Sequence, residues 1–126
     1  MESTSIKNVS RNHEEWKSAV GFYKDELEVF KHRLLEVASK NTAKETMQQV
    51  EHFQNQFLVQ GENIDILRHD INAHLNRMAK ETLLHAGHID HEEIPVHFLL
   101  KERFEIEQKV FTGLKEEFQQ FLSKVM

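Results

Sequence analysis

The sequence predicts an all-α fold, a long antiparallel helical bundle closed by coiled-coil-like heptad seams. Three observations carry this. Trp16, Tyr23, Phe30 and Val37 recur every seven residues, and Val20, Leu27 and Leu34 fill the interleaved positions. In the middle of the chain Val50, Phe57, Ile64, Ile71 and Met78 keep the same spacing. In the last third Phe104, Phe111, Phe118 and Val125 form one row, and Leu100, Glu107, Leu114 and Phe121 the other. A 4-3 alternation puts both rows on one face of a helix, where they bury against a neighbour.

Taken in order, residues 1–11 read as a flexible polar N-terminal tail, and residues 12–126 as a single bundle domain. Asn12 followed by Glu15 is a helix start signal. The aromatic row that follows reads as packed core, because seam aromatics bury area. The first helix should stop near Ser39 or Lys40, with Asn41 taking the left-handed conformation that ends helices.

The pattern Thr42-Ala43-Lys44-Glu45 is a capping box that opens a long central helix, Thr42 to Leu84. So short a turn makes the second helix antiparallel to the first. Level residues should then sum to about 82, which brings Gly21 opposite Gly61. The unbroken row through Phe57, Ile64 and Ile71 argues that the central helix is continuous. The alternative is a break at Gly61, giving a four-helix up-down bundle.

A linker from Ala86 to Ile94 follows, and Pro95 fits the first turn of the last helix, where its missing N–H costs nothing. In that helix Glu107 places a carboxylate where the seam expects an apolar side chain. At 1.5 Å per residue the central helix spans roughly 60 Å and its neighbours about 40 Å. Full overlap is expected only in the middle, leaving apolar seam at both ends for a second chain to cover. A homodimer, or another helical protein as partner, is the expectation.

Composition narrows the function classes. The chain has 126 residues, 39% hydrophobic and 29% charged, with a formal net charge of −5. A net negative charge without a basic run argues against nucleic acid as a partner. No cysteine is present, which excludes disulfides and thiolate chemistry. No apolar run approaches the roughly 20 residues that cross a bilayer. A cytoplasmic protein with no membrane partner is expected.

Nine histidines are the one chemical feature. Five follow an acid by four positions: Glu28–His32, Asp65–His69, Asp70–His74, Glu81–His85 and Glu93–His97. On a helix such pairs are neighbours, and they read as exposed helix support or as a pH-sensitive feature. His74 lies beside the core row. With the linker as a turn, Glu107 comes level with it, so His74, Asp70, Arg68 and Glu107 are expected to form a polar group in the seam that fixes register. His85, His88, Asp90 and His91 in the linker are candidate ligands for a divalent metal such as zinc or iron. Neither a paired Glu-x-x-His set nor a His-Glu-x-x-His motif occurs, and no catalytic motif is found. The leading reading is a non-enzymatic, self-associating interaction or scaffold module with no cofactor. The alternative is a small histidine/carboxylate metal-binding or sensor bundle.

Overall fold

Heptad rows of this length make helices that end only where the chain supplies a stop. The computed structural model describes residues 6–84 and 93–126, and contains three α-helices: α1 (Ile6–Lys40), α2 (Lys44–Leu84) and α3 (Glu93–Val125). At 1.5 Å per residue they measure roughly 50, 60 and 50 Å. α1 starts at Ile6, so Asn12 lies inside the helix rather than at its cap. The helix closes where Asn41 Nδ2 donates to the Val37 carbonyl at 2.8 Å. The first backbone bond of α2 runs from Met47 N to Ala43 O at 3.0 Å, which puts the cap at Ala43 instead of Thr42. Pro95 falls in the first turn of α3, as its chemistry predicts.

α2 is continuous through Gly61, and the four-helix alternative is excluded. The register between α1 and α2 also differs from the expected one. Phe30 packs on Phe57, Lys24 pairs with Asp65, His13 meets His74, and Leu27 faces Gly61. Gly21 has nothing within 4 Å of the place a Cβ would take, so no glycine layer exists. The reason is row matching. The predicted offset would set Phe30 level with the exposed His52, and Val20 level with the exposed Glu62. The observed one sets every buried position of α1 against a buried position of α2.

α1 and α3 both run along most of α2. Phe30, Phe57 and Phe118 form one three-helix layer, and His13, His74 and His97 form another far along the bundle. The partial overlap inferred from helix lengths is therefore not found: α1 and α3 both accompany α2 from Phe57 to His74. The core is rich in rings: Tyr23 stacks on Phe111 at 4.5 Å, and Phe53 touches Phe57, Phe118 and Phe121. Ion pairs flank the seams between each pair of helices, Lys24–Asp65, Glu26–Lys115 and Asp70–Arg103. No helix among the described residues is long and apolar enough to cross a membrane.

Candidate metal centre

One step along the apolar row of each helix stands a histidine. The α1 row passes from Trp16 to His13, the α2 row from Ile71 to His74, and the α3 row from Leu100 to His97 and then Glu93. Antiparallel packing brings these four residues to the same end of the bundle. They are buried: His13 is 5%, His74 0%, His97 3% and Glu93 7% exposed. Beneath them lies a dry layer of Trp16, Ile71 and Leu100. The Trp16 indole stacks on the His97 ring, with centroids 5.0 Å apart, and tilts against His13 at 5.3 Å.

The three rings converge. One ring nitrogen from each of His13, His74 and His97 lies within 4.8 Å of the other two. His13 Nε2 and His97 Nδ1 are 3.2 Å apart. His97 Nε2 is 3.4 Å from the Asn12 amide nitrogen, which donates to it. That assigns the proton of His97 to Nδ1 and makes His13 Nε2 an acceptor. On the other side His74 Nδ1 donates to Glu93 Oε1 at 2.8 Å, and Arg77 Nε donates to both oxygens of the same carboxylate at 3.0 and 3.1 Å. The opposite nitrogen of that ring is His74 Nε2. That atom is fully buried and has no hydrogen-bond partner.

Electrostatics keep two of the rings, His13 and His97, neutral. Burial, reinforced by His74 and His97, pushes His13 down to about 4. Burial, with His74 and Lys101, also lowers His97. Neutral imidazole is the form that ligates metals. Tetrahedral zinc with 2.0–2.1 Å bonds needs donor nitrogens about 3.3 Å apart, and the His13–His97 separation is already there. A carboxylate on the far nitrogen of a ligating histidine fixes its tautomer and orientation, which is the relation of Glu93 to His74.

The residues expected to form one polar group are dispersed. His74 is in the seam, but its partner is Glu93. Asp70 takes a 2.7 Å bond from Arg103, and that bond holds its carboxyl below the usual range. Arg68 is exposed and lines a shallow groove with Lys17 and Asn72. Glu107 faces Gln60, whose amide, turned nitrogen-first, donates to it at 2.6 Å. Burial raises Glu107 to about 7. The cause of the dispersal is again register. α2 runs on past the start of α3, so His97 is level with His74, and Glu93, one turn before it, reaches the ring where Glu107 cannot.

None of the acid–histidine pairs within the described helices forms as a side-chain pair, because other partners, local backbone for His32 and tertiary side chains for Asp65, Asp70 and Glu93, take the acids or the rings. His32 bonds the Glu28 carbonyl, Asp65 pairs with Lys24, and Glu93 turns to α2. His85, His88, Asp90 and His91 lie outside the described residues. His13 and Asn12 were not expected at a site, and His97 only as a helix pair. No protein family, curated protein or solved structure matches the chain, so its chemistry has to be read from its own residues.

Proposed function

We propose that this chain is a small metal-binding helical bundle. It holds one divalent first-row transition ion of the zinc or iron class through His13 Nε2, His74 Nε2 and His97 Nδ1; on binding, the His97 proton passes from Nδ1 to Nε2 and the Asn12 amide turns its oxygen to accept it. The observation that carries the reading is the convergence of three buried imidazoles, one from each helix, around the unpartnered Nε2 of His74. A purely structural layer would be expected to close on itself or be apolar. An unpartnered buried polar atom costs roughly 1–3 kcal/mol, which an ion would recover. Imidazole donors suit zinc, iron, nickel and copper.

The test uses untagged protein. Metal content after purification, and calorimetric titration with zinc after chelator treatment, should give one ion per chain. Trp16 is the single tryptophan and sits on two of the ligands, so copper(II) should quench its fluorescence to an endpoint at the same stoichiometry. His74→Ala should abolish binding and His88→Ala should retain it. Absence of stoichiometric binding would refute the reading, and loss in His88→Ala alone would move the site to the linker.

Self-association is a second reading, now supported by a flank instead of an uncovered seam. Leu35 and Leu58 are 64% and 59% exposed. They stand over a groove between α1 and α2 with Leu34, Ala38 and Met47. We take a second copy of the chain to cover it. Sedimentation velocity over a concentration series should show a dimer that Leu58→Glu dissociates; a strict monomer ends this reading.

A further inference from the structure

A second seven-residue pattern runs along the outside of the bundle. Val59, Ile66 and Ala73 repeat on α2, and Leu99, Ile106 and Gly113 on α3. Both stripes lie where α2 meets α3: Asp70, one turn from Ile66, and Arg103, one turn from Leu99, pair across the flank. Between them runs a shallow groove lined by Asn63, Ile66, Ile106 and Glu107. Val59, Ile66, Leu99 and Ile106 stay between 47% and 56% exposed, so the described chain leaves the stripe open. A regular apolar stripe on two antiparallel helices is a surface on which a further helix packs. Gly113 belongs to it. A Cβ there would meet nothing within 4 Å, so packing inside the chain gives no reason for a residue that weakens a helix interior. Close approach of another backbone does.

The middle of the stripe is beyond the reach of residues 1–10 and 85–92. A path from Leu84 to Ile66 and back from Ile106 to Glu93 runs roughly 45 Å along the helices, whereas residues 85–92 extend about 30 Å. On α1 the level of the groove is marked by Lys24, which pairs with Asp65. Lys24 lies roughly 27 Å from Ile6 and roughly 21 Å from Ser10, and residues 1–5 extend about 18 Å.

Glu107 decides the occupant. It is buried at the floor of the groove beside Ile106, at the middle of the stripe. Its partner is the neutral amide of Gln60. Arg103 in the same groove is committed to Asp70 at 2.7 Å. The groove thus holds a carboxylate with no cation on it among the described residues. A two-fold pairing with a second copy turns about the middle of the shared surface. It would set Glu107 against Glu107, a like-charge contact that opposes association. A foreign helix with a cation at that point completes the carboxylate instead.

We propose that the α2–α3 flank docks one amphipathic helix of a partner protein, which lays aliphatic side chains along the Val59–Ile66 and Leu99–Ile106 rows, passes close over Gly113 and sets a lysine or arginine on Glu107. Apolar burial supplies the affinity, and the ion pair fixes register and partner choice.

The probe is a synthetic helical peptide of about three heptads, with leucines at seven-residue spacing and one central lysine, titrated onto the full chain by calorimetry. Saturable binding at one peptide per chain is expected. Norleucine in place of the lysine should weaken it about tenfold or more, as loss of a charged hydrogen bond does. Glu107→Gln should erase the difference between the two peptides, and Ile106→Glu and Gly113→Leu should abolish binding while circular dichroism stays helical. Leu58→Glu, on the other flank, should bind as the unaltered chain does. No binding of the lysine peptide overturns the proposal, as does equal binding of the two peptides to the unaltered chain. That comparison needs no variant, so it decides the matter even where a substitution unfolds the protein. In sedimentation velocity, a dimer that Ile106→Glu dissociates and Leu58→Glu leaves intact makes the occupant a second copy and overturns the proposal as well.

Discussion

His74 and Glu93 form the one buried histidine–carboxylate bond among the described residues, 2.8 Å from Nδ1 to Oε1, and it leaves the opposite nitrogen of the ring bare. The carboxylate orients the ring without ligating. Glu93→Gln should therefore keep the protein folded and keep one ion per chain, while lowering affinity about 10–100-fold, the usual cost of losing such a partner. Competition against a chromophoric chelator measures this. An unchanged affinity would mean that Glu93 only packs.

The histidine layer should make the ion-free bundle sensitive to acid. His13 is held near 4 by burial and by the neighbouring His74 and His97, against an unfolded value of about 6.5. The native state then binds fewer protons than the unfolded chain. Stability is intact above about pH 6.5 and falls as pH drops towards 4, by on the order of 3 kcal/mol. His13→Leu, which continues the apolar row, should flatten this loss in chelator while abolishing metal binding. Urea midpoints at pH 7.5 and 4.5 test both halves.

Glu107 should produce the opposite slope. Burial raises it to about 7, above its unfolded value of about 4.5, so the native state holds the proton more tightly. Its contribution is complete below pH 4.5 and is lost as pH rises through 7, again on the order of 3 kcal/mol. Protonated, it can donate to the Gln60 carbonyl; ionised, it needs the amide reversed. Glu107→Gln should remove the dependence between pH 5 and 8, as read by thermal melting at fixed ionic strength.

Two glycines can be replaced with gain. A Cβ on Gly21 meets nothing within 4 Å, and one on Gly61 meets only Leu27 Cδ1 at 4.0 Å. Both lie in helix interiors, where alanine is favoured by about 1 kcal/mol. Gly21→Ala and Gly61→Ala should each stabilise by about 0.5–1 kcal/mol and add when combined, measured by urea denaturation.

Phe118 is fully buried among Phe30, Phe53 and Phe57. Phe118→Ala should cost about 3–5 kcal/mol and lower thermal stability. The remaining layers should still give a helical circular dichroism signal at low temperature.

The helices are legible because Trp16 to Val37, Val50 to Met78 and Leu100 to Val125 keep one seven-residue spacing, with Glu107 the single polar member of the last, and a heptad row reports the buried face directly. Turn length does not set the register between α1 and α2. Matching Phe30 to Phe57 row on row would have given it, and would have denied Gly21 a partner. The site was missed for a related reason. Trp16 and Leu100 carry the apolar signal of their rows, whereas His13 and His97, one step further along, carry none of their own. The periodicity that marks a core also marks what lies at its end. The Glu93–His97 spacing instead drew attention to a local helix pair, which loses to contacts with α2. The 3.2 Å approach of two imidazoles depends on how α1 and α3 dock, which no local pattern encodes.

The bundle is chemically polarised along its length. Near the α1–α2 turn the layers are phenyl rings; at the other end they are imidazoles, a carboxylate and a guanidinium. Local opening follows the density of buried apolar contact, so amide exchange in the ion-free chain should be fastest around His13 and His97 and slowest around Phe57 and Phe118. An ion bridging α1, α2 and α3 reverses that order at its own layer. Loading the centre would then be felt as the freezing of a breathing end, and the helix termini beside it would present a fixed surface only while the ion is held.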